Sequence, residues 1–202
     1  MRDLFVLAAD NNIKFLVAAA LCRCAALRIR PIDFEIGTHP QRDPGMRTNG
    51  VDLVRPQRRR FAHALLIFDK EGCGDDAAST EALEPALDRQ LADVWGTQAK
   101  AIAIEPESDI WIWGADTAIA QALGWEEPVA IRAWLATAGF AFAPNGKPHR
   151  PKEAAEALVR QIGLPRSSAT YGRIAERISL RRCTDPSFGR LVAALRRWFA
   201  AP

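Results

Sequence analysis

The chain has 202 residues, of which 49% are hydrophobic and 25% are charged, and its net charge is +3. This composition is that of an ordinary globular protein with one sizeable domain, and no repeat or low-complexity tract interrupts it. No apolar run approaches the roughly 20 residues that a membrane-spanning helix requires, and no cleavage site follows an apolar leader. We therefore expect a cytoplasmic protein with no membrane partner, and its four cysteines should be reduced thiols because they lack zinc-site spacing.

The first 110 residues alternate between strand-like and helix-like segments. Four apolar segments are predicted to be strands, at residues 4–9, 31–36, 64–68 and 101–104. Helices are predicted at about 13–27 and 80–95, and residues 37–50 are predicted to be a loop because they are rich in Gly and Pro. Residues 51–61 can be helical only at their start, since Pro56 interrupts them. Such alternation is typical of an α/β fold with a mostly parallel sheet.

The rest of the chain is predicted to be helical. Five further helices are expected, at residues 116–123, 128–138, 151–162, 168–177 and 186–199. Residues 1–127 carry a net charge of −6, and residues 128–202 carry a net charge of +9. We interpret 1–127 as the α/β core and 128–202 as a basic helical extension packed on it. The basic half favours binding to a polyanion, although a solvated basic helix face gives the same pattern.

Acidic residues follow two of the predicted strands at the point where each strand ends. Asp69 and Glu71 come directly after the strand at 64–68, and Gly72 and Gly74 then let the chain turn. Residues two apart share a face while strand geometry persists, so the two carboxylates are candidate ligands for one cation. The alternative is a solvated turn that caps the next helix.

The neighbouring strands carry further acids. Glu107 and Asp109 follow the strand at 101–104, and Asp10 follows the first strand. Ligands bind outside the carboxyl ends of parallel strands, and hard cations prefer oxygen ligands, so a divalent-cation site is predicted at this edge. Asp10 has a second interpretation as a helix N-cap. Trp111 and Trp113 are expected to pack beneath the acidic loop, with base stacking as the alternative.

Candidate nucleic-acid contacts lie in the basic half. His149, Arg150 and Lys152 belong to one basic loop, and Arg181 and Arg182 form a basic pair further along. Such side chains attract phosphates without reading the base sequence. A solvated loop is the alternative for His149. No phosphate-binding glycine loop, dinucleotide fingerprint or serine-hydrolase motif occurs, so those enzyme classes are not proposed.

These motifs, in this order, resemble the TOPRIM-like proteins of bacteria. In particular, they are similar to an uncharacterised family related to the overcoming-lysogenization-defect nucleases. The resemblance is carried by residues 68–74, by residues 104–116, by Pro151-Lys152-Glu153, by Tyr171 and by residues 185–191. It thus covers most of the chain and implies a TOPRIM-like, Rossmann-like sheet flanked by helices, with a helical C-terminal extension.

The resemblance also implies roles for individual residues. Asp69 and Glu71 would be the acidic pair that binds Mg²⁺ or Mn²⁺, and Asp109 would be a third metal ligand. Asp10 stands near the position where the family has a Glu that acts in acid–base chemistry, and this replacement is shorter. Glu107 is the second candidate for positioning or deprotonating a water molecule.

Two functional hypotheses follow from the resemblance, because family members occur in bacterial antiphage gene clusters, including methylation-associated ones. The first is a Mg²⁺-dependent nuclease that acts on nucleic acid, with phage DNA as the expected substrate. The second is a non-catalytic defence subunit that binds nucleic acid or other subunits of the same system. The absence of the family's Glu near Asp10 favours the second.

Overall fold

The computed structural model describes residues 1–75, 77–126, 129–165, 167–177, 180 and 183–201. Its centre is a sheet of four strands in the order β2-β1-β3-β4, in which all neighbouring strands are parallel. The strands are β1 (Arg2–Ala8), β2 (Phe34–Thr38), β3 (Phe61–Asp69) and β4 (Ala99–Ile104). The protein is therefore an α/β protein with a parallel sheet flanked by helices, as the sequence predicts.

Helices occupy most of the remaining chain. They are α1 (Asn11–Leu21), α2 (Cys24–Leu27), α3 (Arg42–Val54), α4 (Thr80–Trp95), α5 (Asp116–Leu123), α6 (Ile131–Thr137), α7 (Pro151–Gln161), α8 (Ser168–Arg177) and α9 (Pro186–Phe199). Short 3₁₀ segments span Arg55–Arg59, Gly96–Gln98 and Ser108–Gly114. Within the described ranges, no helix is both long enough and apolar enough to cross a membrane.

The central strands are buried because helices cover both faces of the sheet. In β3, the residues from Ala64 to Phe68 have no solvent-exposed surface. Helices α3 and α4 pack against β1, β3 and β4, and α1 packs against β1 and β2. The C-terminal helices also contact the core, since α8 packs on α1 and α9 packs on β4. The division of the chain at residue 127 remains a prediction.

The loop predicted at residues 37–50 is wrong, because α3 begins inside it. Pro44 lies in the first turn of α3, where the missing N–H would have no intrahelical acceptor. Gly45 and Gly50 allow close packing rather than a turn. A Cβ at Gly45 would lie 2.0 Å from the His39 Cε1 atom, and one at Gly50 would lie 3.3 Å from the Leu66 side chain. These glycines therefore reflect tertiary contacts that local sequence signals do not reveal.

Other predicted elements also differ from the structure in their bounds. The helix expected at 13–27 is two helices, because α1 ends at Leu21 and α2 begins at Cys24 and ends before Arg28, which has a left-handed φ of 58°. The strand expected at 31–36 is shifted to Phe34–Thr38, where it pairs with β1. Part of the helix expected at 128–138 lies outside the described residues, and its described part is α6.

Candidate functional site

The strand order creates a switch point at the carboxyl end of the sheet. Strand β1 lies between β2 and β3, so the chain leaves β1 toward one side and later returns to its other side. Crevices that bind ligands form at such points in parallel sheets. Asp10 follows β1, and Asp69 is the last residue of β3. These two predicted site residues therefore lie at the carboxyl ends of the two strands that flank the switch point.

Asp69 is held from both sides by hydrogen bonds. The backbone N–H of Ser108 donates to Asp69 Oδ1 at 2.7 Å, and the Ser108 hydroxyl donates to Oδ2 at 3.3 Å. The N–H of Asp69 donates to Asp43 Oδ1 at 2.8 Å. Beyond the strand, the N–H of Lys70 donates to the Ile104 carbonyl at 2.8 Å. The turn after β3 is thus tied to the segment after β4.

Four aspartates form an acid cluster, which we define as Asp10, Asp43, Asp69 and Asp109. Each comes from a different strand end, because Asp43 lies in the first turn of α3 after β2 and Asp109 follows β4. Burial raises the pKa of Asp69 well above its usual range, and the charges of Asp43, Asp109 and Asp10 raise it further. Such crowding of like charges is relieved by protons or by a bound cation.

Two members of the acid cluster have additional structural roles. Asp10 Oδ1 accepts a hydrogen bond from the N–H of Ile13 at 3.0 Å, so Asp10 is also the N-cap of α1. Burial raises the pKa of Asp43, and the hydrogen bond from Asp69 opposes this effect. Asp43 is not predicted as a site residue, because the Gly- and Pro-rich segment 37–50 predicts a loop. The available signal was an acid in the first turn of a helix that follows a strand.

Glu107 and Lys152 form an ion pair beside the acid cluster. Lys152 Nζ lies 3.5 Å from Glu107 Oε2, and the N–H of Lys152 donates to Oε1 at 3.3 Å. Glu107 is 7% exposed. Burial and the charge of Asp109 raise the pKa of Glu107 to about 7, although Lys152 opposes them. Burial lowers the pKa of Lys152, but the charges of Glu107, Asp109 and Asp69 raise it above its ordinary value.

Glu71 lies at the outer side of this arrangement. It is exposed, and its charge contributes to the raised pKa of Glu107. Its neighbours in a shallow cavity of about 190 Å³ are Lys70, Glu105 and Pro106. The structure therefore couples Asp69 with Asp109, and couples Glu71 with Glu107. The assignment of Asp69, Glu71 and Asp109 as one set of metal ligands remains a prediction.

The predicted phosphate contacts are divided between the site and the surface. His149 and Arg150 are exposed in the turn that precedes α7, where the N–H of His149 donates to the Ala141 carbonyl at 3.1 Å. Lys152, in the first turn of α7, instead reaches the acid cluster. Arg181 and Arg182 lie outside the described residues.

The two tryptophans after the acidic loop are packed inside the protein. Trp111 is 3% exposed and Trp113 is 4% exposed. Trp111 Nε1 donates to the Ser187 hydroxyl oxygen at 2.8 Å, and Trp113 Nε1 donates to the Pro151 carbonyl at 3.1 Å. This confirms the packing interpretation and shows that both rings support the segment carrying Asp109.

The donor atoms of the acid cluster are of the type that binds divalent cations. Carboxylate oxygens are the ligands that Mg²⁺ and Mn²⁺ prefer. Burial and the neighbouring carboxylates together raise the pKa of Asp69, and a bound cation would oppose this effect. As the side chains lie, no group of three or more His, Cys, Asp or Glu residues in the described part of the chain is arranged to hold a metal ion. The donor types thus fit a divalent cation.

Comparison with known proteins gives one informative similarity. No protein-family model matches the chain, and no curated protein matches its sequence. Among solved structures, the chain is similar to the C-terminal region of the Burkholderia pseudomallei OLD protein, with a TM-score of 0.57 and 13% identity. The alignment covers 98% of each chain. The two chains therefore share one α/β fold over their whole length, which agrees with the sheet flanked by helices that the sequence predicts.

Proposed function

We propose that the protein is a divalent-cation-dependent nuclease that cleaves phosphodiester bonds of nucleic acid. The observation that carries this proposal is the position of Asp69 at the switch point, where burial of its carboxylate and the charges of three other aspartates raise its pKa. Carboxylates brought together in a partly buried site repel one another unless a proton or a cation joins them. Perturbed acids at the carboxyl edge of a parallel sheet are typical of a functional site. The fold shared with the OLD C-terminal region supports the same assignment.

The acid cluster is the proposed cation-binding part of the site. Asp69 would be the central ligand, with Asp10, Asp43 and Asp109 as its partners. Glu71 remains a candidate ligand because of the family resemblance. When bound, Mg²⁺ or Mn²⁺ would polarise a phosphate oxygen and stabilise the leaving oxygen.

Glu107 and Lys152 supply complementary chemistry beside the cluster. A carboxyl group whose pKa is about 7 can both accept and give a proton at neutral pH. Glu107 is therefore the proposed group that exchanges a proton with water. Lys152 keeps Glu107 in place and offers positive charge to a phosphate. Asp10 commits one oxygen to the N-cap of α1, so we assign it a positioning role within the acid cluster rather than proton transfer.

The basic half of the chain is the proposed surface for the nucleic-acid backbone. His149 and Arg150 are exposed close in sequence to Lys152, so they lead from the surface toward the site. Contacts of this kind are independent of base sequence and weaken with added salt. On the family resemblance, we place the activity in cytoplasmic antiphage defence, with phage DNA as the substrate and other defence subunits as partners.

A non-catalytic defence subunit is the second candidate. Two observations favour it, namely the short Asp10 in the family's Glu position and the lack of a ready three-ligand group among the described side chains. In that case, the acid cluster would be a remnant of the fold, and the basic half would bind nucleic acid or a partner.

A cleavage assay separates the two candidates. End-labelled DNA and RNA are incubated with the wild-type protein, Asp69→Asn and Glu105→Gln, with Mg²⁺, Mn²⁺ or EDTA. Glu105 is a suitable control because it is an exposed acid after the neighbouring strand, paired with Lys70 at 3.2 Å. The nuclease proposal expects metal-dependent cleavage that Asp69→Asn abolishes and Glu105→Gln retains. Equal cleavage by Asp69→Asn would remove the proposed site, and an inactive wild type that copurifies with another protein would favour the second candidate.

A further inference from the structure

A polar cavity of about 420 Å³ adjoins the acid cluster on the side of β1 and β2. Its walls come from the start of α1, from the segment joining β2 to α3, from Lys152 and from the turn that begins α8. Asp10 and Lys152 belong to both the cavity and the candidate site, because Asp10 is a member of the acid cluster and Lys152 Nζ lies 3.5 Å from Glu107 Oε2. The cavity therefore borders the proposed cleavage site.

The walls of this cavity are held in place by hydrogen bonds. His39 is 3% exposed, its Nδ1 accepts from the N–H of Gln41 at 3.0 Å, and its Nε2 lies 2.8 Å from Asn49 Oδ1. On the opposite wall, the Ser168 hydroxyl donates to Asn12 Oδ1 at 2.7 Å. The second bond ties α8 to α1, so two segments distant in sequence enclose one space. A largely preformed space of this kind is typical of a ligand site.

The lining favours an anionic, sugar-bearing ligand. Arg42 is exposed in the wall, and no salt bridge within the described ranges involves it, so its guanidinium is available to a phosphate. Asn11, Ser167 and Thr38 add amide and hydroxyl groups that can hydrogen-bond to a sugar. An inorganic phosphate would fill only part of the volume, whereas one nucleotide is of suitable size.

We propose that this cavity is a nucleotide subsite, which holds the sugar and phosphate of one nucleotide next to the bond that the acid cluster cleaves. The proposal rests on the proposed nuclease function and specifies its substrate. It gives Arg42 the role of a phosphate contact, although Arg42 lies in none of the segments that carry the family resemblance. Because the subsite would take a single nucleotide, a nucleoside monophosphate should occupy it even without a metal ion.

Calorimetric titration of the full chain in EDTA tests the subsite. The probes are 5′-dAMP, 5′-AMP and inorganic phosphate. Arg42→Gly removes the cation and suits the left-handed φ of 51° at this position. Asn11→Asp places a negative charge in the wall, but it also places an acid in the first turn of α1, which stabilises a helix. We expect about tenfold or greater loss of nucleotide affinity in both variants, with the thermal stability of Asn11→Asp maintained.

Two further variants serve as controls for nucleotide binding. Arg59→Ala removes an exposed arginine from the 3₁₀ segment before β3, at the opposite end of the sheet, and should bind nucleotide like the wild type. Asp69→Asn should also retain nucleotide binding in EDTA while it loses cleavage. The subsite is overturned if the wild type binds neither nucleotide at millimolar concentration, if Arg42→Gly binds as tightly as the wild type, or if inorganic phosphate binds as tightly as the nucleotides. Absent cleavage with intact, Arg42-dependent binding would instead overturn the nuclease proposal alone.

Discussion

Asp43 accepts a hydrogen bond from the backbone N–H of Asp69, with 2.8 Å between Oδ1 and the nitrogen. The contact joins the first turn of α3 to the last residue of β3, and it brings together two acids that are 26 residues apart. One carboxylate therefore orients the backbone of another while its charge raises the pKa of that neighbour. The hydrogen bond stabilises this contact, whereas the repulsion between the two carboxylates destabilises it.

Substitution of Asp43 separates these two effects. Asp43→Ala leaves the Asp69 N–H without its acceptor and should lower the free energy of unfolding by about 1–3 kcal/mol. Asp43→Asn keeps an acceptor oxygen and removes a charge, so without divalent cations it should be at least as stable as the wild type. Urea denaturation in EDTA measures both values. Equal stabilities of the Ala and Asn variants would show that the hydrogen bond contributes nothing.

Glu107 predicts a pH dependence of stability. Its pKa in the folded protein is about 7, above its ordinary value of 4.5, so the folded state binds more protons than the unfolded state between those values. The free energy of unfolding should therefore fall as pH rises through that window, and raised pKa values at Asp69 and Asp43 act in the same direction. Glu107→Gln should be less sensitive to pH. The measurement is denaturation in EDTA at several pH values, and parallel wild-type and variant curves would contradict it.

A buried ion pair supports the segment that carries Asp109. Lys147 Nζ lies 3.3 Å from Asp185 Oδ2, and the two side chains are 6% and 7% exposed. Asp185 Oδ1 accepts from the N–H and the hydroxyl of Ser187, and the Ser187 oxygen accepts from Trp111 Nε1. Trp111 lies two residues after Asp109, so this network connects the basic loop to the acid cluster.

Removal of one partner of this ion pair should strongly destabilise the protein. Asp185→Ala leaves the Lys147 charge buried without its carboxylate and should cost about 3–5 kcal/mol of stability. The double variant Lys147→Met/Asp185→Leu removes both charges and should be less destabilised than Asp185→Ala. Denaturation of the wild type, the single variant and the double variant tests this order. If the double variant is less stable than Asp185→Ala, the unpaired charge of Lys147 is not the main cause of the destabilisation.

Local signals predicted much of the fold. Helices α5, α8 and α9 occupy the predicted ranges, and α9 shows why: Pro186 suits a first turn, and Asp185 accepts the N–H of Ser187 as an N-cap. The buried strands were recognisable as continuous apolar runs because helices cover both faces of the sheet. Gly45 and Gly50 wrongly predict a loop. Their small size instead allows contacts with His39 and Leu66 that depend on the tertiary fold.

The candidate site was less predictable, because it depends on how distant segments meet. Asp69 was identified from its position at a strand end. The pairing of Glu71 with Asp69 assumed that the strand continues, but β3 ends at Asp69 and Glu71 lies in the following turn. Lys152 was interpreted as part of a basic loop, and its approach to Glu107 depends on the docking of α7 against the segment after β4. No local pattern encodes that contact.

Binding of Mn²⁺ to the metal-free protein tests directly whether the acid cluster around Asp69 holds a divalent cation. Calorimetry or electron paramagnetic resonance on wild type, Asp69→Asn and Glu105→Gln gives the affinity without any substrate. We expect the wild type and Glu105→Gln to bind Mn²⁺. The affinity of Asp69→Asn for Mn²⁺ should be lower by about tenfold or more. Mn²⁺ binding of equal strength in Asp69→Asn, or no binding in the wild type, would show that Asp69 is not a ligand of a divalent cation.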